Sequence, residues 1–351
     1  MKNSIFIKNI YYMLSYAFQS LNQGTDERIE KEEFDNALDL FAAILSLGIA
    51  RQLKQGIFRE YINRQENLSI MRGKINVRGT VNNMIQHKQK LDCEFDELSE
   101  NNILNQILKS TAVLLIKSDD VRAEYREKLK KQMLFFSDVD EIDLSSVKWV
   151  NLKFHRNNQS YRMLISICQL ISEGMLLQSD EKGERKLAKF IDDQRMSRLY
   201  EKFLLEYFTR HYQGLDVSAS HIQWALDNEI STMLPAMKTD IMLKKDNAVL
   251  IIDAKYYSNT TQVQYDKHTV HSANLYQIFT YVKNYDYKFG DKEHSVSGML
   301  LYAKTDEEIQ PDNVYQMHGN QISVTTLDLN LPFCDISGQL NKIVKDHFGM
   351  E

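Results

Sequence analysis

A short apolar run that ends in two charges constrains the fold of this chain more than any other stretch. Residues 249–252 are Val, Leu, Ile and Ile, a mostly β-branched composition typical of a buried strand. The run is followed by Asp253 and Lys255, which are two positions apart and therefore leave the same face of a strand. The sequence thus predicts a core strand with a carboxylate and an amine at one end.

The segment before this strand predicts its hairpin partner. Residues 238–245 read KTDIMLKK, and a polar turn at 246–247 joins them to the apolar run. A hairpin closed at that turn sets Asp240 directly opposite Asp253. Like charges opposed across a sheet destabilise it, so we expect a cation between them. The ammonium of Lys255 and a divalent metal ion are the two candidates.

Two carboxylates and a lysine in this arrangement suit metal-assisted phosphodiester hydrolysis. Mg²⁺ binds a few carboxylate oxygens together with water and substrate phosphate. Such an ion polarises the phosphoryl oxygen and lowers the pKa of a bound water, while the lysine orients that water or stabilises charge on phosphorus. A structural ion pair at the end of a sheet is the alternative that the short motif leaves open.

Helices on either side of the hairpin supply further candidate residues. The elements predicted from residue 190 onward are helix 197–212, strands 221–226, 238–245 and 247–257, helix 272–285 and strand 296–304. Glu201 lies on the first helix, and Gln277 and Tyr281 share one face of the second because they are four residues apart. This α-β-β-β-α-β order predicts an α/β (α+β) fold with a mixed sheet flanked by helices.

The order and spacing of these residues resemble the PD-(D/E)xK nuclease superfamily, particularly its RecB-like branch. The matching residues are Glu201, Asp240, Asp253, Lys255, Gln277 and Tyr281. The proline that usually precedes the first aspartate is replaced here by Thr239. The resemblance implies Mg²⁺ as cofactor, with Mn²⁺ as a substitute, and it makes Glu201 a possible metal ligand besides the two aspartates.

The resemblance also implies a role for each remaining residue of the set. Asp240 and Asp253 would bind the metal ion, and together with Lys255 they would carry the catalytic roles of the superfamily. Gln277 and Tyr281 would support this catalytic site from the following helix.

Stretches along nearly the whole chain, roughly 5–330, narrow the resemblance to the McrC family, the nuclease subunits of McrBC modification-dependent restriction systems. These stretches are IFIKNIYYMLSYAF, RGKINVRGTV, FDELSENNILNQILKST, LPAMKTDIML, IIDAKYY and SANLYQI. The family resemblance implies that residues 1–150 dock onto a McrB-like hexameric AAA+ GTPase and stimulate it. It implies that residues 151–351, with a core at about 190–305, cut double-stranded, methylcytosine-containing DNA within a large hetero-oligomer.

The N-terminal half alternates between helical and strand patterns. Residues 1–55 predict helices, residues 57–80 predict strands, and residues 97–135 predict helix again, with Ser99 as a plausible N-cap. Charge is uneven there, because residues 51–90 hold nine Lys or Arg and two Asp or Glu. That stretch is either a solvated face or a binding patch for phosphate or an acidic partner.

Composition limits what the chain does by itself. The sequence contains no GxxxxGK[ST] motif and has a net charge of -5, so we expect a partner to supply both motion and DNA recognition. The longest apolar run, residues 40–50, is too short to span a membrane. The three cysteines are isolated, which favours the cytoplasm. A non-cutting GTPase-activating adaptor and a RecB-like repair nuclease are the alternative functions.

Overall fold

The computed structural model describes residues 2–17, 34, 36–156, 158–176, 193–227, 232–257, 261–264, 267–305, 307 and 309–350. The chain divides into two compact units. The first, called here the sheet unit, comprises Met1–Ala37 and Gly183–Glu351, and the second, called the helical unit, comprises Leu38–Lys182. The division predicted at residue 150 therefore differs from the division found in the structure.

Helices and strands of the described residues are numbered in chain order. The helices are α1 (Lys2–Ala17), α2 (Ala37–Gln55), α3 (Val77–Ile85), α4 (Ile103–Lys117), α5 (Ala123–Met133), α6 (Tyr161–Leu176), α7 (Asp193–His211), α8 (Ser272–Asp286) and α9 (Phe333–Phe348). The strands are β1 (Glu60–Leu68), β2 (Lys74–Ile75), β3 (Leu91–Ser99), β4 (Asp216–Ser218), β5 (His221–Ile222), β6 (Met237–Lys238), β7 (Ile241–Lys245), β8 (Ala248–Lys255), β9 (Thr261–Gln264), β10 (Lys267–Val270), β11 (Ser295–Ala303), β12 (Asn313–Met317) and β13 (Asn320–Leu327). No helix of the described residues combines the length and the apolar character needed to cross a membrane.

A mixed six-stranded sheet forms the core of the sheet unit, with strand order β12-β13-β11-β8-β7-β4. The central strands β8 and β11 run parallel to each other and are buried along almost their whole length. Strands covered on both faces need continuous apolar runs, which is what these two sequences provide. The α/β class with a mixed sheet, predicted from the sequence, is confirmed.

Helix α1 belongs to the sheet unit although it begins the chain. Its Asn9 side chain donates hydrogen bonds to the carbonyl oxygens of Leu329 and Leu331, at 2.7 and 2.8 Å. The Tyr16 hydroxyl lies 2.8 Å from His211 Nε2 on α7. These buried polar contacts, rather than proximity in sequence, explain why the first helix packs with the C-terminal half.

The helical unit continues past residue 150 for a similar reason. The Tyr161 hydroxyl at the start of α6 donates to Asn105 Oδ1 on α4 at 2.9 Å, and it accepts from the Phe58 amide at 3.0 Å. Tyr161 is only 1% exposed, so α6 is part of the core of this unit. The helical unit also contains a three-stranded sheet of order β1-β3-β2.

Two local predictions in the helical unit were correct only in part, and a third was wrong. The strand expected within residues 57–80 consists of β1 and the two-residue β2, and helix α3 begins at Val77. The helix expected from residue 97 begins at Ile103, because residues 91–99 pair with β1 as strand β3. Its N-cap is Asn102, whose side chain accepts a hydrogen bond from the Asn105 amide, rather than Ser99.

Two predictions in the sheet unit also needed correction. Only His221 and Ile222 of the strand expected at 221–226 form a strand, and they pair with β6 outside the main sheet. The strand beside β7 is β4, which sequence reading missed because it is three residues long. The core of the C-terminal domain, expected at about 190–305, continues through β12 and β13, which extend the same sheet.

Candidate functional site

The register of the β7–β8 hairpin brings two aspartates together at one end. Ile241 pairs with Ile252 and Lys245 pairs with Ala248, so one further step in the same register sets Asp240 opposite Asp253. The hairpin prediction is confirmed. Asp240 lies in a bend just before β7, and its Oδ2 accepts a hydrogen bond of 2.8 Å from the Ala254 amide. This bond fixes the Asp240 carboxylate against the strand that carries Asp253.

Thr239 stands directly before Asp240, at the position where the resemblance noted in the sequence implies a proline. It is 1% exposed, and its Oγ1 donates to the Ser220 carbonyl and accepts from the Ser220 amide, both at 3.1 Å. The Thr239 amide also donates to the Ser220 carbonyl at 2.9 Å. These three hydrogen bonds hold the bend in front of Asp240 without a proline.

Asp253 is a buried carboxylate with an incompletely satisfied oxygen. Its side chain is 2% exposed, and Lys255 Nζ lies 2.7 Å from Oδ2 as an ion pair. The same Oδ2 has no partner in hydrogen-bonding geometry. The pKa of the Asp253 carboxyl is raised from 3.8 to about 7, mainly by burial and also by the charge of Asp240, against the lowering effect of the Lys255 ammonium. The site therefore holds negative charge that its own residues compensate only in part.

Lys255 connects this carboxylate to helix α8. Burial by itself would lower the pKa of the Lys255 ammonium, but the Asp253 carboxylate outweighs burial and the pKa is raised. Lys255 Nζ donates to Gln277 Oε1 at 3.3 Å, and Gln277 Nε2 donates to the Tyr281 hydroxyl at 3.0 Å. Four of the residues singled out from the sequence, Asp253, Lys255, Gln277 and Tyr281, thus form one continuous polar chain.

A glycine on β11 allows α8 to lie close enough for these contacts. A Cβ at Gly298 would lie 2.8 Å from side-chain carbons of both Ile278 and Val282. That distance is shorter than real Cβ contacts allow, so any larger residue would push the helix away from the sheet. Gln277 precedes Ile278 on this helix, and its contact with Lys255 depends on the same close packing.

Glu201 lies near the site but does not form a three-carboxylate cluster with the aspartates. Its Oε1 accepts a hydrogen bond of 3.1 Å from the Ser197 hydroxyl. Burial raises the pKa of Glu201, and the charge of Asp240 raises it further, against the opposing effects of Ser197 and Lys255. In the part of the chain that the structure describes, no three or more His, Cys, Asp or Glu side chains are grouped so as to hold a metal ion.

The donor set nevertheless fits a hard divalent cation. Mg²⁺ is usually held by one or two carboxylates, with waters and substrate phosphate completing its shell. Asp240 and Asp253 supply two opposed carboxylates, and the buried Asp253 Oδ2 is ion-paired with Lys255 but accepts no hydrogen bond, so lone-pair capacity remains for a cation.

Sequence reading missed three polar residues beside Lys255. Tyr302 on β11 pairs with Lys255 in the sheet register, and its hydroxyl accepts a hydrogen bond of 2.8 Å from Asn274 Nδ2. The Tyr257 hydroxyl lies 3.5 Å from Asn274 Oδ1. Asn274 is three residues before Gln277, so helical spacing could have placed both on one face of α8. Tyr302 gave no signal within its apolar strand.

Comparison with protein families identifies a match along most of the chain. The family model described as McrBC 5-methylcytosine restriction system component matches residues 6–303. This range includes the hairpin with both aspartates, helix α8 and strand β11, and it also includes the whole helical unit.

Two individual proteins are similar over almost the full length. The type IV methyl-directed restriction enzyme EcoKMcrBC of Escherichia coli strain K12 is 26% identical over 345 residues, which are 97% of each chain. A chain in the refined half-complex from the tetradecameric assembly of Thermococcus gammatolerans McrB AAA+ hexamers with bound McrC superposes with a TM-score of 0.57. That match has 17% identity and covers 96% of this chain and 76% of the other. At that identity the structural match supports the fold alone.

Proposed function

The chain belongs to the family of McrBC 5-methylcytosine restriction system components, and from that premise we propose that it is the DNA-cutting subunit of such a system. Its reaction would be hydrolysis of phosphodiester bonds in double-stranded, methylcytosine-containing DNA. The observation that carries the proposal is the opposed pair of Asp240 and buried Asp253 with Lys255 on the same face. The E. coli relative, a methyl-directed restriction enzyme, supports the same assignment.

Each site residue has a task in this reaction. Asp240 and Asp253 would hold Mg²⁺, or Mn²⁺ in its place, and Glu201 would act through a water. When bound, the ion polarises the scissile phosphate and lowers the pKa of a water molecule. Lys255 would donate a hydrogen bond to the attacking water or to the developing charge on phosphorus. Gln277 and Tyr281 are positioning residues, because they reach the reaction only through Lys255.

The buried charges also favour a nuclease over a non-cutting adaptor. An ionised carboxylate inside a protein costs free energy unless it is fully paired, and Asp253 is paired on only one side. An adaptor that used this fold only as a scaffold would be more stable with an apolar residue at 253. The repair-nuclease alternative shares the chemistry, but the family match along residues 6–303 favours restriction.

The proposal includes docking of the N-terminal region onto a hexameric AAA+ GTPase, whose hydrolysis the chain would stimulate. The T. gammatolerans complex, in which McrC is bound to McrB AAA+ hexamers, supports this partner. We place the docking surface in residues 1–150, as the sequence predicted, and more narrowly on the small sheet and helix α3 of the helical unit. Residues 25–40 hold seven Asp or Glu against two Lys or Arg, and they lie mostly outside the described residues.

Helix α3 supports this location because its apolar face points outward. Val77, Val81, Met84 and Ile85 occupy one face of the helix and are 71%, 46%, 67% and 71% exposed. A helix that exposes its apolar stripe instead of burying it is typical of a protein-binding surface. We call this set of four residues the α3 apolar face.

The polar side of α3 is the side that packs inward. Thr80 Oγ1 accepts a hydrogen bond of 3.0 Å from the Asp92 amide, and Asn83 Nδ2 donates to the Lys90 carbonyl at 3.3 Å. Gly79 lies against the Asp92 carboxylate, where a Cβ would collide. These contacts fix the orientation of the helix, so exposure of the α3 apolar face is built into the fold.

The basic stretch at 51–90 gives less support for a phosphate-binding patch than its composition suggested. Arg59 pairs with Glu100 at 2.6 Å, and Arg64 and Arg72 both pair with Glu97, at 3.0 and 3.4 Å. Acidic residues of β3 and its end thus neutralise part of the charge counted in the sequence. We therefore assign docking to apolar contact rather than to a basic patch.

One experiment tests the proposed function as a whole. Methylated and unmethylated plasmids are incubated with the full chain, Mg²⁺ and GTP, with and without a McrB-like GTPase from the same organism. We expect cleavage of the methylated plasmid only when the partner and GTP are both present. The partner's GTPase rate should rise on adding the chain.

The outcomes separate the alternatives. Faster GTP hydrolysis without any DNA cleavage would favour the adaptor. Cleavage that needs neither partner nor methylation would favour the repair nuclease. The cytoplasmic location stays a prediction, with three free cysteines as its support.

A further inference from the structure

A second polar network lies beside Lys255, and no step of the proposed hydrolysis uses it. Asn274 lies in the first turn of α8 and is 7% exposed. Its Nδ2 donates to the Tyr302 hydroxyl at 2.8 Å, and its Oδ1 faces the Tyr257 hydroxyl at 3.5 Å. One buried amide therefore joins two phenols.

Both phenols lie close to the proposed site. Tyr302 pairs with Lys255 across β11 and β8, so their side chains leave the same face of the sheet. Burial raises the pKa of Tyr302 to about 12, and the charges of Lys255 and Asp253 also act on it. Tyr257 follows Lys255 by two residues, and its phenol acts electrostatically on the Lys255 ammonium.

The two tyrosines differ sharply in exposure. Tyr302 is fully buried, whereas Tyr257 is 39% exposed. The Tyr257 ring is held on two further sides, with its centroid 5.8 Å from that of His271 and 6.3 Å from that of Tyr302. A half-exposed phenol held by three neighbours at a nuclease site is oriented more firmly than an ordinary surface tyrosine.

The hydroxyl of Tyr257 is nevertheless available to a ligand. Its contact with Asn274 Oδ1 is at the outer limit of hydrogen-bond length, and a hydroxyl proton rotates to suit a better acceptor. A DNA phosphate oxygen is such an acceptor, and tyrosine is among the side chains that commonly contact the DNA backbone.

We propose that Tyr257 is a substrate-contacting residue that donates a hydrogen bond to a DNA phosphate next to the scissile one. Asn274 and Tyr302 are positioning residues that hold its ring in place. The inference rests on the proposed nuclease function and adds a backbone contact to it. A neutral hydroxyl at this position orients the strand without adding charge beside Lys255.

Two assays with conservative variants test the inference. In the first, the full chain binds a fluorescent duplex DNA with Ca²⁺ in place of Mg²⁺. Tyr257→Phe should weaken this binding about tenfold, the lower end for a hydrogen bond to a charged group. Because the lost hydroxyl is neutral and releases no counterions, the slope of affinity against salt should not change.

Tyr302→Phe keeps the buried ring and removes only its hydroxyl. It should weaken binding by less than Tyr257→Phe, and the double variant should bind no more weakly than Tyr257→Phe alone. The matched control is Tyr276→Phe, since Tyr276 lies on the same helix and its side chain is 68% exposed. It should bind as wild type does, and melting curves confirm that each variant is folded.

The second assay is plasmid cleavage by the chain with its GTPase partner, where Tyr257→Phe should be slower by a similar factor. Asp253→Asn separates the two proposals in this assay. If Asp253→Asn abolishes cleavage while Tyr257→Phe binds and cuts like wild type, the Tyr257 contact is overturned and the nuclease stands. If the wild type does not cut but Tyr257→Phe still weakens binding tenfold, the nuclease fails and the contact stands. In the binding assay, the losses of affinity of Tyr257→Phe and Tyr302→Phe could instead multiply in the double variant. That result would overturn the positioning role of Tyr302.

Discussion

Strand β8 and helix α3 depart from the usual distribution of polar and apolar residues in opposite directions. At the end of β8, the charged Asp253 and Lys255 are buried within an apolar sheet. On α3, four apolar residues face solvent while Thr80 and Asn83 are buried. Each arrangement costs stability relative to the ordinary one, in which charges are outside and apolar side chains are inside.

The difference between them indicates two kinds of function. A buried, partly paired carboxylate suits chemistry, because a low-dielectric site strengthens its interaction with a cation or a reacting group. An exposed apolar stripe suits association, because burying it against a partner is favourable. The proposed function thus combines a reaction site in the sheet unit with a docking surface in the helical unit.

The largest expected effect is on cleavage when one buried charge is removed. Asp253→Asn should lower DNA cleavage by at least about a thousandfold, because losing a metal ligand removes several kcal/mol of transition-state stabilisation. Plasmid cleavage with the GTPase partner measures this. The control is Asp216→Asn, which changes an exposed aspartate on β4 of the same sheet. If Asp253→Asn retained a tenth of the wild-type rate, Asp253 would be a structural residue.

The same buried carboxyl predicts how stability varies with pH in EDTA. Its pKa is raised from 3.8 to about 7, so the folded protein binds this proton more tightly than the unfolded chain does. The contribution of this proton binding to the free energy of unfolding is fully present below about pH 4. It is lost as pH rises to about 7, a change of about 4 kcal/mol. Urea denaturation measures the free energy of unfolding of wild type and of Asp253→Asn. Between pH 5 and pH 8 the stability of the variant should rise relative to that of wild type. A variant less stable than wild type at pH 8 would contradict this.

A somewhat smaller effect is expected on docking when charge is placed on the α3 apolar face. The double variant Val81→Asp and Met84→Asp should weaken binding to the GTPase at least about thirtyfold, the threshold typical of a hot-spot residue. Both positions are exposed, so the fold should persist. Val150→Asp is the control, because Val150 is 99% exposed and lies elsewhere in the same unit. Equal loss in the control would mean that any surface charge disturbs binding.

The smallest predicted effect concerns the far end of the polar chain at the site. Tyr281→Phe removes the hydroxyl that accepts a hydrogen bond from Gln277, so Gln277 would hold Lys255 less firmly. Cleavage should slow by roughly two- to tenfold, as expected for one ordinary hydrogen bond. Steady-state cleavage rates measure it. A loss as large as that of Asp253→Asn would mean that Tyr281 takes a direct part in the reaction.

More of the candidate site than of the fold could be predicted from the sequence. Alternation along β8 and a short turn were enough to place Asp240 opposite Asp253, because hairpin register follows from local sequence. The i, i+4 spacing of Gln277 and Tyr281 likewise placed both on one face. The contact of Gln277 with Lys255 depends on Gly298, a residue distant in sequence, and local patterns do not contain that information.

The division into units and the α3 apolar face could not be predicted for a related reason. Asn9 and Tyr16 join α1 to residues about two hundred to three hundred positions later, which no local pattern reveals. The apolar spacing of α3 predicts a helix but says nothing about which side is buried. That choice depends on Gly79, Thr80 and Asn83 fitting closely against the β3 region.

The measurement that tests the central claim most directly follows both activities of Lys255→Ala in one sample with the GTPase partner, GTP and methylated plasmid. Lys255 lies on the face of β8 that carries Asp253, in the sheet unit, and no part of the α3 apolar face belongs to that unit. We therefore predict that DNA cleavage is abolished while the stimulation of GTP hydrolysis stays at the wild-type level. Loss of both activities in a variant that is folded and still binds its partner would contradict the separation of reaction site and docking surface.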